Sequence, residues 1–197
     1  MSTSDEDSTG NSGALTIQIY GLTSWDSKEV SEVITMDGTN AVNTDSAYVI
    51  IHRMKVLTNG GTNINTGVIT ATAATDGTVT AQINTGQGQT QMAIYGIPST
   101  QTAYATCYYF SLHDSANPSN SAFADVNLLV NPTPDNTLST FLTKHTQGVS
   151  TFGTSYLRHC YTPYFKIVGP AIIKVQSIGS ANDLDCSAGF DLILMDN

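Results

Sequence analysis

The chain has 197 residues, enough to bury a core without metals or disulfides, and charged residues make up only 12% of it, too few for the solvated faces of a helical protein. Its 16 Asp and Glu outnumber 7 Lys and Arg, and the cations are scattered singly, which excludes the basic face that nucleic-acid binding requires. Thr, Ser, Asn, Gly, Val, Ile and Tyr are abundant instead, and this composition favours strands and turns.

Residues 1–13 are polar and acidic, and we expect them to form a flexible segment. They lack the basic and apolar pattern of a secretory signal, and no apolar run in the chain approaches the roughly 20 residues that span a bilayer. Alternating apolar side chains predict a first strand at Ala14–Leu22. A second strand is predicted at Val30–Met36, with a helix over residues 28–34 as the alternative, and the Asp37-Gly38 that follows is typical of a hairpin turn.

Three further segments complete a small β meander, which we predict for residues 14–85. The dense apolar run Ala47–Leu57 is typical of a central strand that is buried on both sides. Gly67–Ala73 and Thr78–Ile83 are joined by Asp76-Gly77, and this arrangement predicts a hairpin.

A polar, Gly-rich stretch beginning at Gly86 marks the predicted boundary to a second unit over residues 86–197. It lacks the strand, helix and basic partner that a phosphate-binding loop needs. We therefore predict an all-β protein with a β-sandwich or jelly-roll architecture, built either as one sandwich or as two packed β units. The strands predicted in the second unit are Met92–Tyr95, Ala103–Leu112, Ala124–Val130, Phe141–Thr146, Thr154–Cys160, Ala171–Ser177 and Ala188–Met195.

Three cysteines, Cys107, Cys160 and Cys186, are far apart and odd in number, so a complete disulfide framework cannot be written. Each lies within or beside an apolar stretch, and this position predicts reduced, buried thiols. Their spacing matches no zinc motif, because zinc ligands usually come in close pairs.

Four histidines, His52, His113, His145 and His159, are the candidates for acid–base chemistry or metal binding. None has a partner at the spacing of a ligand pair, and no Gly-x-Ser-x-Gly turn exposes a nucleophile. Residues 182–185 carry two carboxylates and an amide that could hold calcium, but a plain turn is favoured because a calcium loop needs more acidic ligands. We predict a non-enzymatic protein with no catalytic residues, no metal and no cofactor.

Six tyrosines form the candidate binding site: Tyr104, Tyr108, Tyr109, Tyr156, Tyr161 and Tyr164. A tyrosine carries a large apolar ring with a polar tip, so packing in the core or at a protein interface is the favoured interpretation. A platform on which sugars stack, as in lectins, is the alternative.

Three stretches carry a family likeness. One runs from Gly86 to Pro98 and continues at Thr102-Ala103-Tyr104, a second covers the ending from Ser180 to Leu194, and the third runs from Glu32 to Val42. Together they resemble a family of tailed-phage proteins that are taken to be structural components of the virion. The similarity spans most of the chain and includes no known active site.

The resemblance implies a role in many identical copies on a symmetric lattice. We expect a capsid decoration or cement protein that binds the outer shell through loops and edge strands, located in the virion after assembly in the host cytoplasm. The expected partners are the major capsid protein or other virion proteins and further copies of this chain, with no nucleic acid and no membrane. Family members often carry residues before the equivalent of Asp5, so an attachment function of such an arm stays open.

Two other functions fit the same residues. A tail, neck or fibre component of the virion has the same sequence expectations as a decoration protein. A carbohydrate-binding module for host recognition would use the Tyr-rich strands and the loop from His113 to Ser121. An enzyme is disfavoured because no nucleophile, base and oxyanion donor occur together.

Overall fold

The structure is a computed structural model, and it describes residues 1–113, 122–181 and 184–197. In these ranges the regular secondary structure consists of twelve strands, and every strand pair is antiparallel. The predicted all-β class is therefore confirmed. Within the same ranges, no helix is long and apolar enough to cross a membrane.

The chain forms two compact units, Met1–Met92 and Ala93–Asn197. The predicted boundary near Gly86 is too early, because the residues that follow it are bonded to the first unit. The Thr90 amide donates to the Met54 carbonyl at 2.9 Å, and the Met54 amide donates to the Thr90 hydroxyl at 3.1 Å. These reciprocal bonds make the Gly-rich stretch part of the first unit rather than a linker.

The first unit contains a three-stranded sheet and a hairpin. Its strands are β1 (Ala14–Leu22), β2 (Val30–Thr35), β3 (Ile50–Asn59), β4 (Ile69–Thr72) and β5 (Val79–Ile83). The sheet has the order β2–β1–β3, and β4 and β5 form the predicted hairpin. A strand rather than the alternative helix thus occupies β2. The prediction of β3 as a central strand is wrong, because β1 lies between β2 and β3 and pairs with both.

Alternation along β1 positions the core of the first unit. Ile17 and Ile19 are buried, as their alternation with polar residues predicts, and they pack with side chains from the other strands. The buried apolar residues of this core are Ala14, Ile17, Ile19, Ile34, Met36, Met54, Ile69, Ala81 and Ile83.

Residues 1–13 are folded onto the first unit, which corrects the prediction of a flexible segment. Asp7 is fully buried. Its carboxylate accepts hydrogen bonds from the backbone amides of Ala14, Thr66 and Gly67, each at 2.8 Å. Two of these donors are distant in sequence, so the composition of the segment could not indicate that it is anchored.

The second unit contains two sheets. Its strands are β6 (Ile94–Ile97), β7 (Gln101–His113), β8 (Phe123–Asn131), β9 (Leu142–Ser150), β10 (Tyr156–Val168), β11 (Ala171–Gly179) and β12 (Asp185–Asp196). The sheet orders are β10–β7–β12 and β6–β11–β8–β9. The jelly-roll variant, which has eight strands in two sheets, stays a prediction, since the described part of this unit has seven.

One core joins the two sheets, and this arrangement is sandwich-like, as predicted. The larger buried side chains come from β7 and β10 in one sheet and from β6, β8, β9 and β11 in the other. They are Ile97, Tyr108, Phe110, Leu112, Val126, Leu128, Val130, Val149, Leu157, Ile167 and Ile173.

Cys107 and Cys160 lie opposite each other on β7 and β10 and form a disulfide, with their Cα atoms 4.0 Å apart. Cys186 is free and exposed. The prediction of three reduced, buried thiols is therefore wrong. Pairing depends on β7 and β10 being neighbours in one sheet, and spacing along the chain does not reveal that.

Candidate functional site on the sheet of β10, β7 and β12

The sheet β10–β7–β12 turns one face to the core and the other to solvent. Its pairing register arranges the outward residues in five rows across the three strands. The rows are Tyr156–Ser111–Ser187, Arg158–Tyr109–Gly189, Cys160–Cys107–Asp191, Lys166–Tyr104–Ile193 and Val168–Thr102–Met195. We define the tyrosine face by nine of these residues: Tyr104, Tyr109, Tyr156, Arg158, Lys166, Val168, Asp191, Ile193 and Met195.

The tyrosine face exposes large apolar side chains. Tyr156, Val168 and Met195 are each 55% exposed, Ile193 is 46% exposed and Tyr109 is 38% exposed. The solvent side of an antiparallel sheet is ordinarily polar, so this content is unusual. Exposed apolar side chains that are grouped together mark a binding surface.

Tyr109 and Arg158 hold fixed positions at the middle of the tyrosine face. A Cβ added at Gly189 would overlap the ring of Tyr109, so the glycine leaves room for the ring to lie against β12. The Arg158 guanidinium lies beside the disulfide, with its Nη2 atom 3.9 Å from the Cys107 sulfur. A rigid aromatic ring and a cation are thus presented side by side.

A bulge at Tyr161–Tyr164 interrupts the pairing of β10 with β7. It contains Pro163, which cannot donate a ladder hydrogen bond, so the break occurs where the sequence requires one. Within the bulge, Tyr164 is exposed, whereas Tyr161 packs against the core. The bulge therefore separates the two ends of the β10 edge.

On the inner side of the sheet, four rings form what we call the His–Tyr cluster: Tyr108, His145, His159 and Tyr161. The Tyr108 hydroxyl and His145 Nδ1 are hydrogen-bonded. The rings of His145 and His159 are stacked with centroids 4.3 Å apart, and Tyr161 meets His159 edge to face at 4.8 Å. Because His145 comes from β9 and the others from or beside β7 and β10, the cluster connects the two sheets.

Burial sets the protonation states of the His–Tyr cluster. It raises the pKa of Tyr108 to about 12, with a further contribution from the nearby Tyr161, and it raises the pKa of Tyr161 as well. Burial also lowers the pKa of His145, and so does the neighbouring His159. Both phenols and the His145 imidazole are therefore neutral at pH 7. The Tyr161 hydroxyl is buried, and no hydrogen-bond partner for it occurs in the described part of the chain.

The structure divides the six predicted tyrosines among three environments. Tyr104, Tyr109 and Tyr156 share the tyrosine face, Tyr164 lies in the bulge, and Tyr108 and Tyr161 belong to the His–Tyr cluster. Sequence reasoning missed that His145 and His159 meet, because their strands belong to different sheets. Alternation along β10 indicates that His159 points inward, but nothing local identifies its partner.

The remaining candidates do not assemble into a site. His52 Nε2 lies 2.6 Å from Glu29 Oε2 in the first unit, and His113 ends β7. The rest of the predicted 113–121 loop, and two residues of the 182–185 calcium alternative, lie outside the described residues. Among the residues that are described, no group of three His, Cys, Asp or Glu side chains could hold a metal ion.

Comparison with known proteins returned nothing. No protein-family model matches the chain, and no curated protein or solved structure matches it.

Proposed function

We propose that this chain is a non-enzymatic structural protein of a tailed-phage virion, which decorates the outer shell and binds neighbouring capsid subunits. The sequence resemblance described above supports this role. The observation that carries it is the tyrosine face, a sheet surface with exposed apolar side chains.

The composition of the tyrosine face is that of a protein interface. Tyr and Arg are enriched in interfaces, since both combine a large contact area with groups that donate hydrogen bonds. Here Tyr109 and Arg158 stand in one row, with Tyr156 in the next. Such anchors lose little conformational entropy on binding because the sheet already holds them.

The edge of strand β12 offers a contact for the capsid that is separate from the tyrosine face. It is an edge strand that stays paired with β7 from Asp185 to Asp196, and within this span it contains no proline, lysine or arginine. Proline, lysine and a bulge are usual protections of a long edge, and β12 has none of these on its own strand, although it carries the acidic residues Asp185, Asp191 and Asp196. An extended segment of a capsid subunit could add to this edge by strand addition.

The His–Tyr cluster supports the non-enzymatic part of the proposal. A tyrosine acting as a base or nucleophile needs a pKa closer to neutrality, whereas burial raises the pKa of Tyr108 to about 12. The cluster instead packs against the core through Tyr108 and Tyr161. Its geometry suits a polar contact between the two sheets.

The proposal is tested on purified phage particles by counting and locating this chain. Quantitative mass spectrometry gives its copy number relative to the major capsid protein, and electron microscopy gives its position. Hundreds of copies on the shell are expected for decoration, whereas about a dozen at the neck or tail would favour the alternative virion role. Absence of the chain from particles would overturn both.

A carbohydrate-binding module is the second candidate, favoured by the exposure of Tyr109, Tyr156 and Tyr164. Sugars stack on exposed aromatic rings, and these three lie on one sheet or on its bulge. A broad glycan panel distinguishes the two functions. Specific glycan binding would establish the carbohydrate-binding function if the Tyr109→Ala and Tyr156→Ala substitutions abolish it. If no glycan of the panel binds, this function is ruled out.

A further inference from the structure

We infer that the tyrosine face binds a second copy of this chain, face to face, about a two-fold axis that runs parallel to the strands and passes over β7. This inference deepens the proposed function by naming the partner of the tyrosine face. It rests on the claim that this face is an interface, and it does not require that the chain belong to a virion.

Charge is distributed in columns across the tyrosine face. The β10 column carries Arg158 and Lys166, the central β7 column carries the neutral Tyr104 and Tyr109, and the β12 column carries Asp191. No cation lies on β12. The face is therefore positive along one side and negative along the other, although the whole chain has a net charge of −9.

A two-fold axis parallel to the strands exchanges the outer columns and keeps every row level. The β10 column of one copy then lies over the β12 column of the other, at two symmetric places. A two-fold axis perpendicular to the strands would instead place cations over cations. Opposite charges steer association and like charges oppose it, so the charge pattern selects the parallel axis.

The row order makes the charge contact specific. Asp191 stands in the row of Cys160, between the row of Arg158 and the row of Lys166. In the two-fold arrangement each Asp191 therefore lies between the partner's Arg158 and the partner's Lys166. Each copy contributes one such acidic group and one such pair of cations, so the same contact of opposite charges occurs twice in the dimer.

In the same arrangement, apolar residues of one tyrosine face lie over apolar residues of the other. Val168 and Met195 occupy the two ends of one row. In the dimer, Val168 of each copy therefore lies over Met195 of the other copy. Both are 55% exposed in the single chain. Tyr104 and Tyr109 lie near the axis and meet their own symmetry mates. Two sheets that pack face to face in this way reproduce the layering of a β-sandwich.

The size of the tyrosine face predicts a reversible dimer. Three strands and the five rows span about 14 Å by about 30 Å, or roughly 400 Å² of sheet surface in each copy. A standard stable interface buries about 800 Å² per partner, so this contact belongs to the weaker class. We expect monomers and dimers to exchange at micromolar concentrations.

Sedimentation velocity of the full chain over a concentration series tests the inference. The wild-type chain is expected to shift from monomer to dimer, with a shift that weakens as salt screens the charges. Asp191→Lys should raise the dissociation constant at least about tenfold. The matched control is Asp125→Lys, which makes the same charge change at an exposed position on β8.

A charge exchange separates the proposed contact from any general effect of charge. Arg158→Asp with Lys166→Asp should also raise the dissociation constant, and combining both with Asp191→Lys should restore dimerisation. Circular dichroism checks that each variant is folded. A wild-type chain that stays monomeric at every concentration would overturn the inference, and so would an exchange variant that stays monomeric while its fold is intact.

The two proposals fail separately. Loss of the dimer in Asp191→Lys protein that still enters particles would leave the virion role standing. A chain that dimerises as described but is absent from particles would overturn the virion role and leave the dimer.

Discussion

Both units of this chain have an apolar core, but they differ in the other groups that stabilise them. In the first unit, a polar N-terminal segment is tied to the sheet through one buried carboxylate, Asp7, which accepts hydrogen bonds from Ser2 and from three backbone amides. In the second unit, aromatic and aliphatic side chains fill the space between two sheets, and the Cys107–Cys160 disulfide joins β7 to β10.

This difference has a thermodynamic meaning. Apolar burial is spread over many side chains, so its loss at one position scales with the volume removed. A buried charge is stabilised only while each of its donors remains in place, so its loss is abrupt. The first unit should therefore be vulnerable at one residue, whereas the second should respond in proportion to the atoms removed.

The largest effect is expected from emptying the core of the second unit. Phe110 is 2% exposed, and Phe110→Ala should lower the free energy of unfolding of this unit by about 3–5 kcal/mol. Near-ultraviolet circular dichroism of the tyrosines reports on the unfolding of the second unit. The fluorescence of Trp25, the single tryptophan, reports on the first unit. Tyr109→Ala on the exposed face is the control and should cost less than half as much. Equal losses in the two variants would contradict the assignment of inner and outer faces.

Removing the disulfide is expected to have the next largest effect. The bridge closes a loop with a sequence separation of 53 residues, and replacing both cysteines by serine should destabilise the second unit by about 2–4 kcal/mol. Urea denaturation of the double variant, followed by near-ultraviolet circular dichroism of the tyrosines, measures this loss of stability. Cys186→Ser is the control, because that thiol is exposed and unbridged. A reducing agent that leaves the wild-type transition unchanged would count against the bridge.

Local sequence patterns were sufficient where neighbouring residues decide the structure. Ile17 and Ile19 alternate with polar residues, and β1 forms where they predict it. Asp76-Gly77 joins β4 to β5, and Gly77 has a φ of +75°, a conformation that glycine adopts without strain. Turn chemistry and side-chain period are local properties, so they could be recognised in a single sequence.

The candidate site depended on relations that are not local. Tyr108 and Tyr109 are adjacent, and only the alternation of a strand assigns them to opposite faces. A register shift beside Cys107 then changes which residues of β7 point outward. β10 continues beyond the predicted end at Cys160, and a bulge accommodates Pro163 there. The meeting of His145 and His159 depends on how two sheets pack.

A smaller effect is expected at Asp7 in the first unit. Burial acts to raise the pKa of Asp7, but the hydrogen bonds from Ser2, Thr66, Ala14 and Gly67 outweigh it, and the pKa is lowered. Asp7→Asn keeps the shape but turns an amide towards backbone donors, so we expect a loss of about 2 kcal/mol, measured by Trp25 fluorescence in urea.

Asp45→Asn, which makes the same charge change at an exposed position, is the control for Asp7. The pH dependence has a definite sign. Because the folded pKa is depressed, this stability is present above the ordinary carboxyl pKa of 3.8 and is lost as the pH falls below it towards the folded value. A first unit equally stable at pH 6 and pH 2 would contradict the role of Asp7.

The smallest effect is expected from His145 in the second unit. Burial and the neighbouring His159 lower the pKa of His145 below 6.5, so the unfolded chain takes up a proton at higher pH than the folded chain does. Stability from the neutral imidazole is therefore present above pH 6.5 and declines as the pH falls from there towards the folded pKa. The tyrosine signal of the second unit should show a lower urea midpoint at pH 5 than at pH 7.5. In a His145→Gln variant, the part of the difference in urea midpoint that comes from His145 should disappear, because glutamine does not titrate. A shift that persists unchanged in this variant would assign the pH dependence to other groups.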